Sequence, residues 1–263
     1  LRESREAGFT GTETGVKYPL DAEILGPLLK THGLQLASCW FSGTLRECSV
    51  EQEFENLRQM LTTFKALNAP VVIYAETSGS VQSQQNIPVS QKPVMPDAEF
   101  PEYGRKLTEV ADRIADFGVR MSYHHHMGTV IETEREIDLL MENTGSSVGL
   151  LIDTGHLGFA NADTEAVTRR YGSRINHVHC KDIRQEIFKQ VQEKDLSFLD
   201  AVLGGVFTVP GDGFIDFENF AKVLAEIHYS GWVVVEAEQD PEKANPLEYS
   251  RMGYQHLLNV LHE

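Results

Sequence analysis

Short apolar runs alternate with amphipathic segments along most of the chain. The run from Pro70 to Glu76 is nearly continuous, which is typical of a strand buried on both faces. The pattern predicts strands over 9–14, 34–41, 70–76, 117–126, 148–153, 175–181 and 232–238. It predicts helices over 21–31, 50–67, 101–117, 132–143, 163–171, 196–203, 216–228 and 246–261. Strands alternating with helices indicate a parallel sheet with helical crossovers.

Residues suited to helix ends support these boundaries. Gly8 and Gly33 stand where a helix commonly ends in a left-handed residue. Ser49 with Gln52 predicts a capping box before the helix over 50–67, and Asp216 predicts the start of a later helix.

The segment over 77–100 is rich in Ser, Gln and Pro and has no clear periodicity. A loop of this length inside a compact domain is usually functional or disordered. Because it follows a strand, we interpret it as a lid over a site, with a tolerated surface insertion as the alternative.

The predicted fold class is α/β, with one barrel domain over 1–263. An open doubly wound sheet is an alternative. A (β/α)8 barrel that lacks its first strand in this sequence fits better, because the residues suited to catalysis follow the carboxyl ends of the strands.

The net charge and the cysteines argue against several classes of function and location. A net charge of −16 argues against binding to nucleic acid, which favours a basic surface, and against adhesion to anionic lipid. The three cysteines show no paired spacing, and we find neither an apolar run that spans a bilayer nor a secretory signal. We therefore expect a cytoplasmic protein without a membrane partner, and the sequence leaves open whether it forms a homo-oligomer.

Residues suited to binding a metal end four of the later strands. Side chains alternate along a strand, so His124 and His126 share one face and His125 points to the other. The same alternation puts His177, His179 and Lys181 on one face. The other strand ends carry Asp153 with His156, and Glu236 with Glu238. Imidazole and carboxylate ligands together suit Mn²⁺, Co²⁺, Fe²⁺ or Zn²⁺.

These strand ends carry a resemblance to a known family. The stretches concerned are Gly11-Thr12-Glu13, Tyr74-Ala75-Glu76, Tyr123-His124-His125-His126-Met127-Gly128-Thr129, Asp153-Thr154-Gly155-His156-Leu157-Gly158, His177-Val178-His179-Cys180-Lys181-Asp182, Pro210-Gly211-Asp212-Gly213 and Val235-Glu236-Ala237-Glu238-Gln239-Asp240. Over almost its whole length the chain resembles the xylose isomerase-like barrel superfamily. The triple histidine and the closing Glu-Ala-Glu-Gln-Asp are similar to the inosose dehydratase family within it.

The resemblance implies a metal site on four successive strands. Carried over, the ligands are His124, Asp153, His179 and Glu236. Most relatives have a carboxylate at the first of these positions, so His126 is an alternative ligand there. We expect Mn²⁺ or Co²⁺, with Zn²⁺, Fe²⁺ and Mg²⁺ as alternatives.

The implied reaction is dehydration of 2-keto-myo-inositol (scyllo-inosose), a cyclic keto-polyol, to a trihydroxycyclohexane-1,2-dione in inositol catabolism. It needs a base for the proton beside the ketone and an acid for the departing hydroxide. We expect Glu76, His126 or Glu238 to fill these roles. Lys181 either holds the negative oxygen or forms a salt bridge at the rim with an acid such as Asp182.

Two further residues are candidates for substrate binding. His156 follows Asp153 by three positions, and Glu13 offers a hydroxyl acceptor. Two other functions stay open, a sugar or keto-polyol isomerase or epimerase on the same scaffold, and a polyol-binding protein without turnover.

Overall fold

Parallel strands followed by helices make up the fold. The computed structural model describes residues 1–15 and 17–261; the predicted domain range also includes Val16, His262 and Glu263, which lie outside these ranges. The strands are β1 Gly11–Thr14, β2 Gln35–Gly43, β3 Val71–Glu76, β4 Arg120–His124, β5 Val148–Asp153, β6 Ile175–Cys180, β7 Asp182–Ile183, β8 Phe207–Thr208 and β9 Val233–Val235. The α-helices are α1 Arg2–Ala7, α2 Ala22–His32, α3 Val50–Leu67, α4 Phe100–Asp116, α5 Glu134–Glu142, α6 Thr154–Phe159, α7 Thr164–Tyr171, α8 Gln185–Lys194, α9 Phe198–Gly204, α10 Phe217–Glu226 and α11 Pro246–Leu261.

Strand order follows chain order in the main sheet. Over the described ranges this sheet has seven strands, in the order β1-β2-β3-β4-β5-β6-β9, and every neighbouring pair is parallel. A doubly wound sheet would reverse its strand order at one point. The absence of such a reversal among the described strands confirms the barrel class.

The edges of the sheet are β1 and β9. A cavity of about 400 Å³ lies between them, lined by Gly11 and Glu13 from β1, Val235 from β9 and Tyr254 from α11. An eighth strand of a closed barrel would lie at this position. The arrangement agrees with the predicted barrel that lacks one strand in this sequence.

The core lies between the sheet and the helices around it. Every residue of β3 and β5 is buried, as the continuous apolar runs predicted. On the helices, Leu57, Leu61 and Phe64 of α3 are buried in the same cluster as the strand residues. Burial of this apolar surface is the main stabilising term of the fold.

Helix ends agree with the predicted signals. Gly8 and Gly33 end α1 and α2 with φ angles of 115° and 63°. Only half of the predicted capping box at α3 is present: the Ser49 side chain accepts a hydrogen bond from the Gln52 backbone N–H at 3.2 Å, but the Gln52 side chain donates to Asn56 instead of returning to Ser49. A capping box with both of its bonds, between Thr133 and Glu136, is present at the start of α5; its Thr-x-x-Glu pattern was a usable signal that the sequence analysis missed.

The segment between β6 and β9 departs from the prediction. The short strands β7 and β8 pair antiparallel outside the main sheet, and α8 was not predicted. A second apolar cluster here includes Met127, Phe198 and Phe207. Two-residue strands are too short to show periodicity, and β9 pairs directly with β6.

The segment over 77–99 forms a strap with two short 3-10 helices. The Val81 N–H donates to the Gly128 carbonyl at 2.9 Å, and the Lys92 ammonium lies 2.6 Å from a Glu136 carboxylate oxygen. Val89 donates to the Leu196 carbonyl at 3.2 Å. These contacts hold the strap against the loop that follows His126. Among the described helices, none combines the length and apolar character needed to cross a membrane.

Candidate metal centre

Four side chains from successive strand ends converge inside the barrel. They are the four predicted metal ligands His124, Asp153, His179 and Glu236, and one ligand atom of each lies within 4.8 Å of the others. His179 Nδ1 lies 2.8 Å from Glu236 Oε2 and 3.6 Å from Asp153 Oδ2, and His124 Nε2 lies 3.7 Å from the same Asp153 oxygen. The strand register brings them together, because Asp153 is paired directly with His179 across β5 and β6.

The chemistry of these atoms fits a divalent cation. Asp153 Oδ2, His179 Nδ1 and Glu236 Oε2 are buried and make no hydrogen bond within the part of the chain that the structure describes. Buried polar atoms nearly always make hydrogen bonds, so three that converge with only ion-pair contacts to Lys181 and to one another fit a bound cation. Two imidazoles and two carboxylates are ligands that Mn²⁺, Co²⁺ and Zn²⁺ accept.

The other nitrogen of each histidine ligand is already engaged. His179 Nε2 lies 3.0 Å from Glu13 Oε1, and His124 Nδ1 contacts the His125 carbonyl. Such contacts fix the tautomer and the ring orientation of metal-binding histidines. Glu13 Oε1 also contacts His177 Nε2 at 2.6 Å and accepts from Ser38 Oγ at 2.5 Å. Glu13 therefore lies behind His179, and its binding to substrate stays a prediction.

Burial and charge set the protonation of the site. Burial lowers the pKa of His124 well below its ordinary value. Burial would also lower the pKa of His179, but the Glu13 and Glu236 carboxylates raise it well above its ordinary value. Burial would raise the pKa of Glu236, but Lys181 and His179 hold it well below its usual range. Glu236 is therefore ionised, as a metal ligand must be, and His179 would release a proton when a metal binds.

A second cluster adjoins these ligands. His126, His156 and Glu238 each offer one ligand atom within 4.8 Å of the other two. Lys181 Nζ donates to Glu238 Oε2 at 2.8 Å and lies 3.1 Å from His156 Nε2. Predicted catalytic and substrate-binding residues thus lie beside the predicted metal ligands.

Lys181 lies between the two clusters and is fully buried. Its ammonium is 3.3 Å from Glu236 Oε2 and 3.5 Å from Asp153 Oδ2. Burial would lower its pKa, but these carboxylates raise it above the ordinary value, so the ammonium stays charged. Lys181 does form salt bridges with acids, but they are buried and not at the rim, and Asp182 is not among its partners because the Asp182 carboxylate accepts backbone N–H groups instead.

Glu76 does not join either cluster. Its carboxylate accepts hydrogen bonds from the backbone N–H groups of Arg46 at 3.2 Å and Ser78 at 3.0 Å. Burial raises the pKa of Glu76. These bonds tie the loops after β2 and β3 together, and a catalytic role for Glu76 stays a prediction.

Aromatic side chains that the sequence reasoning missed form the walls of the site. The Trp40 ring lies 5.4 Å from the His124 ring and 5.2 Å from the His126 ring. The Phe198 ring lies 5.3 Å from that of His126, and Lys181 Nζ is 5.0 Å from the centre of the Phe207 ring. Trp40 could have been predicted as a site residue, because it lies in the second half of β2. Phe198 and Phe207 had no such signal, because they come from the irregular segment between β6 and β9.

Comparison with known proteins agrees with this geometry. The family model described as xylose isomerase-like TIM barrel matches residues 1–259. The rhizopine catabolism protein MocC of Rhizobium meliloti is 49% identical over 260 residues, which cover 99% of this chain and 80% of that protein. Inosose dehydratase of Geobacillus thermodenitrificans is 43% identical over 259 residues, which cover 98% of this chain and 87% of that protein.

The solved structure of the IolI protein with a bound zinc atom has a TM-score of 0.71 at 18% identity, covering 98% of this chain and 90% of that one. At this identity the likeness shows the fold alone. Together with the matches in sequence, it identifies the barrel as one variant of a common architecture. The chain belongs to the xylose isomerase-like TIM barrel family, and to the same family as the inosose dehydratases.

Proposed function

We propose that this protein is a metal-dependent hydro-lyase that dehydrates 2-keto-myo-inositol to a trihydroxycyclohexane-1,2-dione in inositol catabolism. The observation that carries the proposal is the meeting of four metal-type ligands with a buried lysine and a second His/Glu cluster. The substrate follows from the identity of 43% to an inosose dehydratase over nearly the whole chain.

The proposed metal ligands are His124, Asp153, His179 and Glu236. A divalent ion held there would supply Lewis-acid stabilisation of the negative charge that develops beside the ketone. We propose Mn²⁺ or Co²⁺ as the native ion, since this mixed nitrogen and oxygen donor set suits both.

Lys181 is proposed to stabilise negative charge on a substrate oxygen. Its buried ammonium is held by three carboxylates at 2.8–3.5 Å, so it is fixed before substrate arrives. A preorganised charge in a site without bulk water stabilises a transition state more than a mobile one does. The walls formed by Trp40, Phe198 and Phe207 support such exclusion of water.

His126 and Glu238 are the better supported candidates for base and acid. His126 Nδ1 lies 2.8 Å from the Met127 carbonyl, so Nδ1 carries the proton and Nε2 is left to accept one. Burial lowers the pKa of His126, which keeps it neutral and able to act as a base. The proton that His126 takes up would then pass to the departing hydroxide, directly or through the Glu238 carboxylate, so that the hydroxide leaves as water. His156, beside both residues, is proposed to contact the substrate.

We also propose a cytoplasmic location. Cys39, Cys48 and Cys180 are all free thiols, which is the usual state in a reducing compartment.

A proton NMR time course in D₂O tests the proposed reaction. Metal-stripped protein is reloaded with diamagnetic Zn²⁺, or with traces of Mn²⁺ or Co²⁺, and given 2-keto-myo-inositol. Loss of the proton beside the ketone together with growth of the dione supports the proposal. Deuterium exchange or a new ketose without loss of water assigns the protein as an isomerase, and an unchanged spectrum with every ion favours a binding protein.

A further inference from the structure

We propose that the site has two neighbouring cation positions and that the Lys181 ammonium permanently fills the second. The exchangeable metal would take the first position, between His124, Asp153, His179 and Glu236. The inference rests on the proposed metal centre but not on the proposed substrate. Each chain would then bind one exchangeable metal ion, and the lysine ammonium would serve as a covalently attached second cation.

The residues around the second position form a metal-type donor set. His126, His156 and Glu238 bring their ligand atoms within 4.8 Å of one another. Two imidazoles with one carboxylate make up a common three-residue zinc site. His126 Nδ1 is engaged with the Met127 carbonyl, so its Nε2 is left with a free lone pair.

The lysine ammonium lies among these donors. Its Nζ is 2.8 Å from Glu238 Oε2 and 3.1 Å from His156 Nε2. Both are hydrogen-bond distances, so two of the three donor atoms that would bind an ion face the ammonium group of Lys181. The backbone of Glu238 is in the left-handed region, with φ of 43°, and this uncommon conformation accompanies its contact with Lys181.

Lys181 also faces the first position. Its Nζ lies 3.3 Å from Glu236 Oε2 and 3.5 Å from Asp153 Oδ2. One ammonium therefore contacts carboxylates of both clusters, as a second metal ion would in a two-metal site. A free ion in the second position would repel this ammonium at short range in a buried setting, so the two exclude each other.

Packing around Lys181 leaves its side chain no room to move away from the second position. Its side chain packs against Gly155, where an added Cβ would lie 2.7 Å from the lysine Cγ. The Phe207 ring lies 5.0 Å from Nζ on another side. Packing thus holds the ammonium at the second position whatever the metal content.

Metal stoichiometry tests the inference without any measurement of activity. Metal-stripped wild type, Lys181→Met and Lys92→Met are dialysed against Zn²⁺ or Co²⁺, and the bound metal is measured by mass spectrometry. We expect one ion per chain for the wild type and for Lys92→Met, which removes a lysine outside the site. We expect two for Lys181→Met, with a second set of Co²⁺ absorption bands.

A double variant identifies the new site. Lys181→Met with His156→Ala should return to one ion per chain. One ion in a folded Lys181→Met contradicts the inference, and so does a wild type that binds two. Failure of the wild type to bind any ion overturns the proposed metal centre instead. If Lys181→Met does not fold, Lys181→Gln replaces it with the same expectation of two ions per chain, and one ion in that folded variant contradicts the inference.

Discussion

Glu238 combines an uncommon backbone with a central position in the site. A non-glycine residue with φ of 43° is disfavoured by contacts of its own Cβ, and such residues concentrate at functional sites. The conformation accompanies a contact of 2.8 Å between its carboxylate and Lys181. At the residue scale, therefore, the second cluster is where we expect proton transfer.

Glu238→Gln tests this role. The amide keeps the size of the side chain but cannot give or take a proton at neutral pH. We expect kcat to fall about 10²- to 10⁴-fold, the usual contribution of a general acid or base. The bound metal should stay at the wild-type level, because Glu238 is outside the four-ligand set. A variant with wild-type kcat would remove Glu238 from the mechanism.

Glu132 is a buried carboxyl group outside both clusters, and its pKa is shifted. Burial raises its pKa from 4.5 to about 7, and its Oε2 accepts the Gly128 N–H at 2.7 Å. The folded state therefore keeps a proton that the unfolded state releases at lower pH. Stability from this residue is full below pH 4.5 and is lost as the pH rises through 7.

Glu132→Gln should therefore stabilise the protein at pH 8. The neutral amide can still accept the Gly128 N–H, and the cost of a buried carboxylate disappears. We expect a gain of up to about 3 kcal/mol in the free energy of unfolding at pH 8, shrinking towards pH 5. Urea denaturation at both pH values measures it, and a gain that does not change with pH would contradict the assigned cause.

At the scale of elements, the strap over 77–99 and the loop after β4 depend on one glycine. Gly128 has φ of 78°, and a Cβ there would lie 2.9 Å from the Gln82 backbone nitrogen. Gly118 has a similar φ of 83°, but nothing lies within 4 Å of the position of its Cβ. Comparing alanine substitutions at the two positions therefore separates the energetic cost of a left-handed backbone from that of a clash with the strap.

Gly128→Ala should be more harmful than Gly118→Ala. Both variants place a Cβ on a left-handed backbone, which destabilises the folded state by about 1–2 kcal/mol. Only Gly128→Ala displaces the strap, so we expect it alone to speed proteolytic cleavage within 77–99 several-fold. Limited proteolysis followed by mass spectrometry measures the cleavage rate. Equal rates for the two variants would show that the strap does not pack on this loop in solution.

At the scale of the whole molecule, the alternation of short strand-like runs with amphipathic segments was enough to predict the strands of the main sheet, including β1, which has no apolar run of its own. Alternation along them also indicated the face that carries His124, His179 and Glu236, because the side-chain period of a strand is two. The burial of Lys181 was not predictable from the sequence. It depends on carboxylates from two different strand ends, Asp153 of β5 and Glu236 with Glu238 after β9, and the barrel decides which strand ends meet.

The aromatic walls show the same limit. Phe198 and Phe207 reach the site from a helix and a two-residue strand that lie outside the regular alternation. No periodic pattern connects such a segment to a distant strand end. The packing of the second apolar cluster, which has no sequence signature, brings these rings to the histidines.

The metal should couple the strands into one cooperative unit. Its ligands come from β4, β5, β6 and the end of β9, so removing it affects the whole sheet. With free ion at ~100 times its Kd, binding contributes about 2.7 kcal/mol. We expect EDTA to lower the Tm by roughly 5–10 °C, since 1 kcal/mol corresponds to about 2–4 °C at this size. Asp153→Asn is the control and should not respond to EDTA.

The most direct test of the central claim joins metal content to dehydration. Metal-stripped protein is titrated with Mn²⁺ or Co²⁺ while the formation of dione from 2-keto-myo-inositol is followed. The proposed mechanism predicts no dehydration without metal, a rate that rises linearly to one ion per chain and then levels off, and no rate for Asp153→Asn. Dehydration by the stripped protein at the full rate, or none at any metal loading, would contradict it.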